Sequence, residues 1–337
     1  MMRKLILLLL SGLVVVMLTV AQYVSQVSDA PLLSDTRYFE VKRGDTFAAI
    51  CQRWQEVHWI ERCLPYQVYG KLFPERVNVK AGVYELQGVS VLDALSKLST
   101  GAQADFMFTI IEGQTFKQVL ANLKAAPFID FDLTDTDLAL HVGGDADELF
   151  GAVDSHPEGW LYPETYHYHA HNKASTLLRH ASERMQAQLA VAWQQRAQDL
   201  PISSAYEALI LASIIEKETG KAQERPVIAS VFVNRLNRKM RLQTDPTVIY
   251  GLGDSFDGDI KRRHLREYTP YNTYRIKGLP PTPIAMPSFD AIKAATQPAQ
   301  TDYLYFVSKG DGSHYFSKSL KEHNRAVQRY ILNKHKG

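Results

Sequence analysis

The chain has 337 residues, 45% of them hydrophobic and 22% charged, the balance of a folded protein with a sizeable core rather than of a disordered one. Its 38 Lys+Arg against 36 Asp+Glu leave a formal charge of +2, which speaks against general attraction to nucleic acid. Neither of its two cysteines has the neighbours of a metal site.

Residues 5–21, LILLLLSGLVVVMLTVA, follow Arg3 and Lys4 and carry no charge. At about 1.5 Å per residue such a helix spans roughly 25 Å, close to a bilayer's hydrocarbon core. Residues 1–25 are therefore expected to form a cytoplasmic tip and a transmembrane anchor. A cleaved signal peptide ending at Thr19-Val20-Ala21 is the rival. The basic pair stays inside, so either reading exports the rest of the chain. In an oxidising compartment Cys51 and Cys63 can pair, closing a loop of about a dozen residues for about 3 kcal/mol, or stay as buried thiols.

After a polar stretch, YFEVKRGDTFAAICQRW (38–54) reads as a strand, a Gly turn and a helix capped by Asp45 or Thr46. AGVYEL (81–86) predicts a strand, and VSVLDALSKLSTG (89–101) a helix ending at glycine. FMFTII (106–111) followed by GQTFKQVL (113–120) repeats the strand and capped-helix phrase of GDTFAAIC (44–51). Small strand–helix units of this kind resemble LysM-type glycan-binding modules. The seven acidic side chains between 128 and 148 do not follow the ladder of a calcium loop and predict a solvated connector.

Beyond residue 150 the texture becomes aromatic. In EGWLYPETYHYHAH (158–171), alternation places Tyr166, Tyr168 and Ala170 on one face of a strand and His167, His169 and His171 on the other. Three alternating imidazoles suit zinc, but no Cys or carboxylate completes the set, and no metal or cofactor is expected. A long polar helix over about 174–198 follows, closed by Leu200-Pro201.

ALILASIIEKETG (208–220) is an almost wholly apolar helix that ends in Glu216, Lys217 and Glu218. At about 100° per residue the two glutamates lie about 160° apart, so at most one looks into a given groove. Glu216 continues the stripe of Leu209, Ala212 and Ser213, while Glu218 lies over Ile214. A glutamic acid that donates a proton near neutral pH must hold it about 3 kcal/mol more tightly than a solvated one. A helix C-terminus supplies only about 0.3–1 kcal/mol, so an apolar wall, expected from Leu209 and Ile215, has to provide the rest. The plain alternative is a solvated helix end.

Pro226 suits the first turn of the next helix, and Asp245-Pro246 reads as a turn after it. PYNTYRIKGLPPTPIAMPS (270–288) is a Pro-rich aromatic loop, and DYLYFVSKGDGSHYFS (302–317) a hairpin around Gly310-Asp311-Gly312. Aromatic rings beside amide and carboxylate side chains fit the stacking faces and hydroxyls of a sugar polymer. The basic run Lys261-Arg262-Arg263, extended by His264 and Arg266, reads as a solvated face.

The phrases EGWLYPETY, LASIIEKETGKAQERPVIASVFVNRL, MRLQTDPTVIYGLG, YNTY and GLPPTPIAMPS together resemble the endolytic murein transglycosylases, the YceG-like proteins, over about residues 38–330. The resemblance implies cleavage of the β-1,4 bond between N-acetylmuramic acid and N-acetylglucosamine in peptidoglycan, leaving a 1,6-anhydro end. It implies that Glu216, which opens the EKET phrase, is the catalytic acid, with Glu218 as the alternative. Glu164, Tyr166, Gln243, Asp245, Asn272 and Tyr274 are the candidate sugar contacts. A muramidase-type hydrolase, with Asp245 or Glu164 as a second carboxylate, and a non-catalytic membrane-anchored scaffold are the competing functions.

The expected architecture is α+β: the transmembrane helix, a LysM-like domain at 36–105, a second strand–helix unit and connector at 106–150, and a mixed catalytic domain at 151–337. The expected partners are peptidoglycan strands, the inner membrane through one anchor and peptidoglycan synthases, with no nucleic acid; the bulk of the chain would be periplasmic.

Overall fold

The structure, a computed structural model, describes residues 10–20, 22–23, 30–133 and 156–332. Most of the acidic connector and the first residues of the apolar run lie outside them. Residues 10–20 are helical, and among the described residues no helix is long and apolar enough to cross a membrane. The chain divides into two compact units, Met1–Phe106 with His167–His171, and Met107–Tyr166 with Asn172–Gly337.

The first unit is built on β1 (Tyr38–Val41) paired antiparallel with β2 (Gly82–Glu85), between which lie α1 (Phe47–Glu56) and α2 (Leu64–Leu72). α3 (Val91–Thr100) follows β2. Of the two residues expected to cap α1, Thr46 does so, its hydroxyl accepting from Ala49 N–H at 3.3 Å; Asp45 instead accepts from Lys42 N–H at 2.9 Å. Ser90 caps α3, and Gly101 closes it in the left-handed conformation that a side chain would strain. One face of each helix is apolar, and Ile50, Trp54, Tyr84, Leu95 and Leu98 meet in a closed core. Cys51 and Cys63 lie in that core and form a disulfide with their Cα atoms 5.7 Å apart. The three alternating imidazoles each have a separate partner: His167 with Asp105, His169 with the Ala104 carbonyl, and His171 with Glu40. Among the described residues no group of His, Cys, Asp and Glu is arranged to hold a metal ion.

β3 (Phe106–Thr109) pairs with β4 (Thr165–Tyr168) and leads into α4 (Phe116–Lys124), whose N-terminus carries a full capping box of Thr115 and Gln118. The second unit is mainly helical: α5 (Ala174–Gln194), α6 (Ala205–Glu218), α7 (Arg225–Asn237), α8 (Asp245–Leu252), the short α9 (Arg262–Arg266) and α10 (Phe289–Thr296). It closes with the hairpin β5 (Tyr305–Ser308) and β6 (His314–Ser317), then α11 (Leu320–Val327).

α6 explains its own composition. Ala208 to Ile215 are all buried, and α5, α7, α8 and α10 pack around them. A helix apolar on every side has to be the centre of its domain. Asp245-Pro246 does not make the expected turn. Proline's fixed φ suits the first turn of a helix, and the pair opens α8.

Candidate active site

α6 leaves the core after Ile215, and the two glutamates of its last turn depart on opposite sides. Glu216 turns toward α7 and the start of α10. Its Oε1 accepts from Arg225 Nη2 at 3.0 Å, and its Oε2 accepts from the Ser288 N–H at 2.9 Å and from the Ser288 hydroxyl. Ser288 caps α10, so the carboxylate also sits at a helix N-terminus, where the peptide dipoles favour negative charge. Arg225 lies a further 3.7 Å from Glu112 and 3.6 Å from Asp290. The Glu216 side chain is 6% exposed.

This arrangement corrects the expected surroundings of Glu216. The residue is buried, but among donors rather than against an apolar wall. Three donors from two other elements converge on its two oxygens. The geometry is that of an anchor joining α6, α7 and α10.

Glu218, on the other side, lines a cleft of about 440 Å³ together with Arg235, Gln243, Asp245, Tyr274, Tyr305 and His323. Burial pushes its carboxyl up from 4.5 to about 7, and the Asp245 charge adds to the shift. A hydrogen bond from the Thr244 hydroxyl and the Arg235 charge act in the opposite direction. Glu218 is thus the end-of-helix carboxylate that meets the energetic requirement set out from the sequence. Desolvation supplies most of the shift, as that argument demanded.

The cleft walls are held in place by backbone geometry. Arg235 is pinned by the carbonyls of Leu304 at 2.7 Å, Arg241 at 3.2 Å and Leu242 at 2.7 Å. Gln243 adopts φ 52°, a left-handed conformation uncommon away from glycine, and its N–H donates to the Thr273 carbonyl at 3.2 Å. Asp245 stands in the first turn of α8 and accepts from the Tyr274 hydroxyl at 2.7 Å. A fixed cation, an amide, a carboxylate and a phenol thus share one concavity with a carboxyl that titrates near neutrality. Such a set can orient a polar, uncharged polymer and protonate one of its oxygens.

A profile of the YceG-like family matches residues 39–329. The chain belongs to this family. Among its relatives, a Bacillus subtilis (strain 168) protein named endolytic murein transglycosylase is 34% identical over 319 residues, covering 87% of this chain and 84% of the relative. A Streptococcus pneumoniae (strain R6) protein of the same name is 26% identical over 324 residues, covering 87% of this chain but 58% of the longer relative. A crystal structure of a yceG-like protein from Listeria monocytogenes superposes with a TM-score of 0.58 at 31% identity, covering 86% of this chain and 97% of that one. The family's mixed α+β fold agrees with the architecture described above.

Of the six candidate sugar contacts, the structure brings Gln243, Asp245 and Tyr274 together with Glu218. Asn272 is not available: it is 1% exposed, and its amide donates to the carbonyls of His264, at 2.9 Å, and Glu267, at 2.5 Å, tying the loop to α9. The Tyr166 hydroxyl donates to the Tyr162 carbonyl at 2.7 Å, outside the cleft. Glu164 lines a separate concavity shared with Glu112, Glu216 and Arg225.

Sequence reasoning passed over Arg225, Arg235, Thr244 and Ser288, because each acts through a contact from another element. It also passed over Glu158, which is 3% exposed and accepts from Phe116 N–H at 2.9 Å and the Tyr250 hydroxyl at 3.0 Å. Burial pushes Glu158 up to about 7, so it links α4 to α8 as a strut that still holds its proton in about half of the molecules at neutral pH. The neighbouring Gly159 has φ +84°, and a Cβ there would lie 2.5 Å from the Pro283 side chain, which accounts for the glycine in the EGW phrase.

Proposed function

We propose that this chain is a lytic transglycosylase that cuts the N-acetylmuramic acid–β-1,4–N-acetylglucosamine bond within peptidoglycan strands, and that Glu218 is its catalytic acid. Membership of the family and the shared name of its relatives support the reaction class. The observation that carries the assignment of the residue is Glu218 itself, a cleft-lining carboxyl with a proton affinity near 7. Glu216, the first choice from sequence, is engaged by Arg225 and Ser288 on the other side of the helix.

In this reading the protonated Glu218 donates to the glycosidic oxygen as the bond to muramic C1 breaks, with the bonding electrons leaving on that oxygen. An oxocarbenium-like centre develops at C1. The sugar's own C6 hydroxyl oxygen then bonds to C1, and its proton passes to the Glu218 carboxylate, which is restored for the next turn. Glycosidases commonly set two carboxyl groups across the bond. Here an internal hydroxyl replaces water, so one suffices, provided water is excluded. Gln243, Asp245 and Tyr274 hold the sugar's hydroxyl and acetamido groups. Residues 1–25 serve as the single inner-membrane anchor, the LysM-like first unit binds glycan, the catalytic unit is periplasmic, and cleavage takes place on nascent strands next to a synthase.

A muramidase-type hydrolase is the second reading, favoured by one observation: the charge of Asp245 is close enough to raise the proton affinity of Glu218. Asp245 would then activate water. Mass analysis of ends released from purified peptidoglycan decides between the two. The transglycosylase predicts ends lighter by one water than hydrolysis would leave; hydrated reducing ends as the main product would overturn it.

A further inference from the structure

One wall of the cleft has no part in the scheme above. It comes from the C-terminal hairpin and α11, which contribute Tyr305 and His323. The guanidinium of Arg235, fixed by three carbonyls, lies 5.1 Å from the Tyr305 ring centroid. The His323 ring stacks on Tyr305 at 5.2 Å with 25° between planes. His323 is thereby held in one orientation by its neighbours. Yet its Nδ1 is buried and, among the described residues, has no hydrogen-bond partner. Buried polar nitrogens are nearly always paired, so an unpaired one in a cleft wall needs an explanation.

The charge state of the ring narrows what can answer it. Burial, and then the Arg235 charge, hold His323 below its ordinary value of 6.5, so it is neutral at neutral pH. A neutral imidazole offers one donor and one acceptor and carries no charge to attract an anion. Hydroxyl and acetamido groups both donate and accept, and match either tautomer. Phosphate or carboxylate would be better served by the guanidinium of Arg235, whose Nε and Nη1 donate to carbonyls and whose charge an uncharged sugar does not need.

We propose that His323 is a substrate-contacting residue of the cleft, its ring nitrogen taking a hydroxyl or acetamido group of the amino sugar bound beside Glu218, with Tyr305 and Arg235 as the residues that position it. This rests on the reading of the cleft as the glycan site and adds a specificity-determining contact to it. The ring does not exchange a proton in the reaction; it holds the sugar.

The test uses the purified full-length chain and three substitutions. His323→Phe keeps a flat ring to stack on Tyr305 and removes both nitrogens. His323→Asn returns a polar amide at about the position of Nδ1, and His323→Ala removes ring and nitrogens together. We expect His323→Phe to lower kcat/KM on peptidoglycan strands by about 10- to 100-fold, mainly through KM, with an unchanged melting temperature. His323→Asn should recover a substantial part of that loss. Strands with free amino groups in place of acetamido groups separate the two possible partners: if acetamido is the partner, wild type falls to the level of His323→Phe on them, whereas if a hydroxyl is, the gap between the two proteins persists.

Unchanged kinetics in His323→Phe, or equal losses in the Phe and Asn variants, would overturn the proposal and leave His323 a packing residue. A control keeps the two levels apart. If Glu218→Gln abolishes cleavage and His323→Phe does not affect it, only this inference fails. If Glu218→Gln has no effect, the reading of the cleft fails first.

Discussion

Thr244→Val is the sharpest probe of the electrostatics at Glu218. The substitution keeps the β-branched shape of a residue that is 2% exposed and removes only the hydroxyl that donates to Glu218. That hydrogen bond favours the ionised carboxylate and partly offsets a burial that carries the group from 4.5 to about 7. The net shift is worth about 3 kcal/mol; at pH 7 roughly half of the molecules carry the proton, against about one in 300 for an unshifted carboxyl. A hydrogen bond to a charged group contributes about 1.5–3 kcal/mol, so losing it should raise the proton affinity by about one to two further pH units. The general acid acts in its protonated form, so activity is present below its titration and lost above it. The profile of kcat/KM against pH, which reports the free enzyme, should fall through about 7 in wild type and about one unit or more higher in Thr244→Val. A falling limb that stays in place, or moves to lower pH, would refute the assignment of that limb to Glu218.

Asp245→Asn perturbs the same carboxyl with the opposite sign: removing a like charge lets Glu218 ionise more easily, and the falling limb should move to lower pH. Glu158 is expected to dominate a different measurement. Its folded value of about 7 exceeds its ordinary 4.5, so its contribution to stability is fully present below about 4.5 and is lost as pH rises through about 7. Urea unfolding of Glu158→Gln should lack the corresponding decline of about 3 kcal/mol between those limits, and an unaltered slope would contradict the buried-strut reading. Arg225→Met leaves Glu112, Glu216 and Asp290 without their shared cation and should cost about 3 kcal/mol or more in unfolding free energy, whereas a neutral outcome would mean that the ion pairs do not anchor α6 to α7 and α10.

The local elements were legible because their signals are local. Thr46, one of the two caps expected for α1, and Thr115, in the repeated phrase, open their helices, and the unbroken apolar run from Ala208 to Ile215 declares a central helix. Helical geometry alone also required Glu216 and Glu218 to face opposite ways. Which of them shares a concavity with Gln243, Asp245 and Tyr274 was not legible. That depends on Arg225 and Ser288 arriving on one side and on Thr244, Arg235 and the C-terminal hairpin on the other, all of them contacts between elements. The YNTY phrase misled for a related reason. An asparagine among tyrosines looks like a sugar ligand, yet an amide with two donors is equally suited to tying a loop to carbonyls, and Asn272 does that. The Asp245-Pro246 pair carries both a turn signal and a helix-start signal, and only the packing of α8 on α6 selects the second.

The most direct test of the central claim sets Glu218→Gln beside Glu216→Gln on purified peptidoglycan, with turnover counted per folded molecule. The account predicts that Glu218→Gln loses cleavage by about three orders of magnitude or more with its melting temperature preserved, while Glu216→Gln loses stability but keeps its turnover. Cleavage that survives in Glu218→Gln and vanishes in a well-folded Glu216→Gln would contradict it.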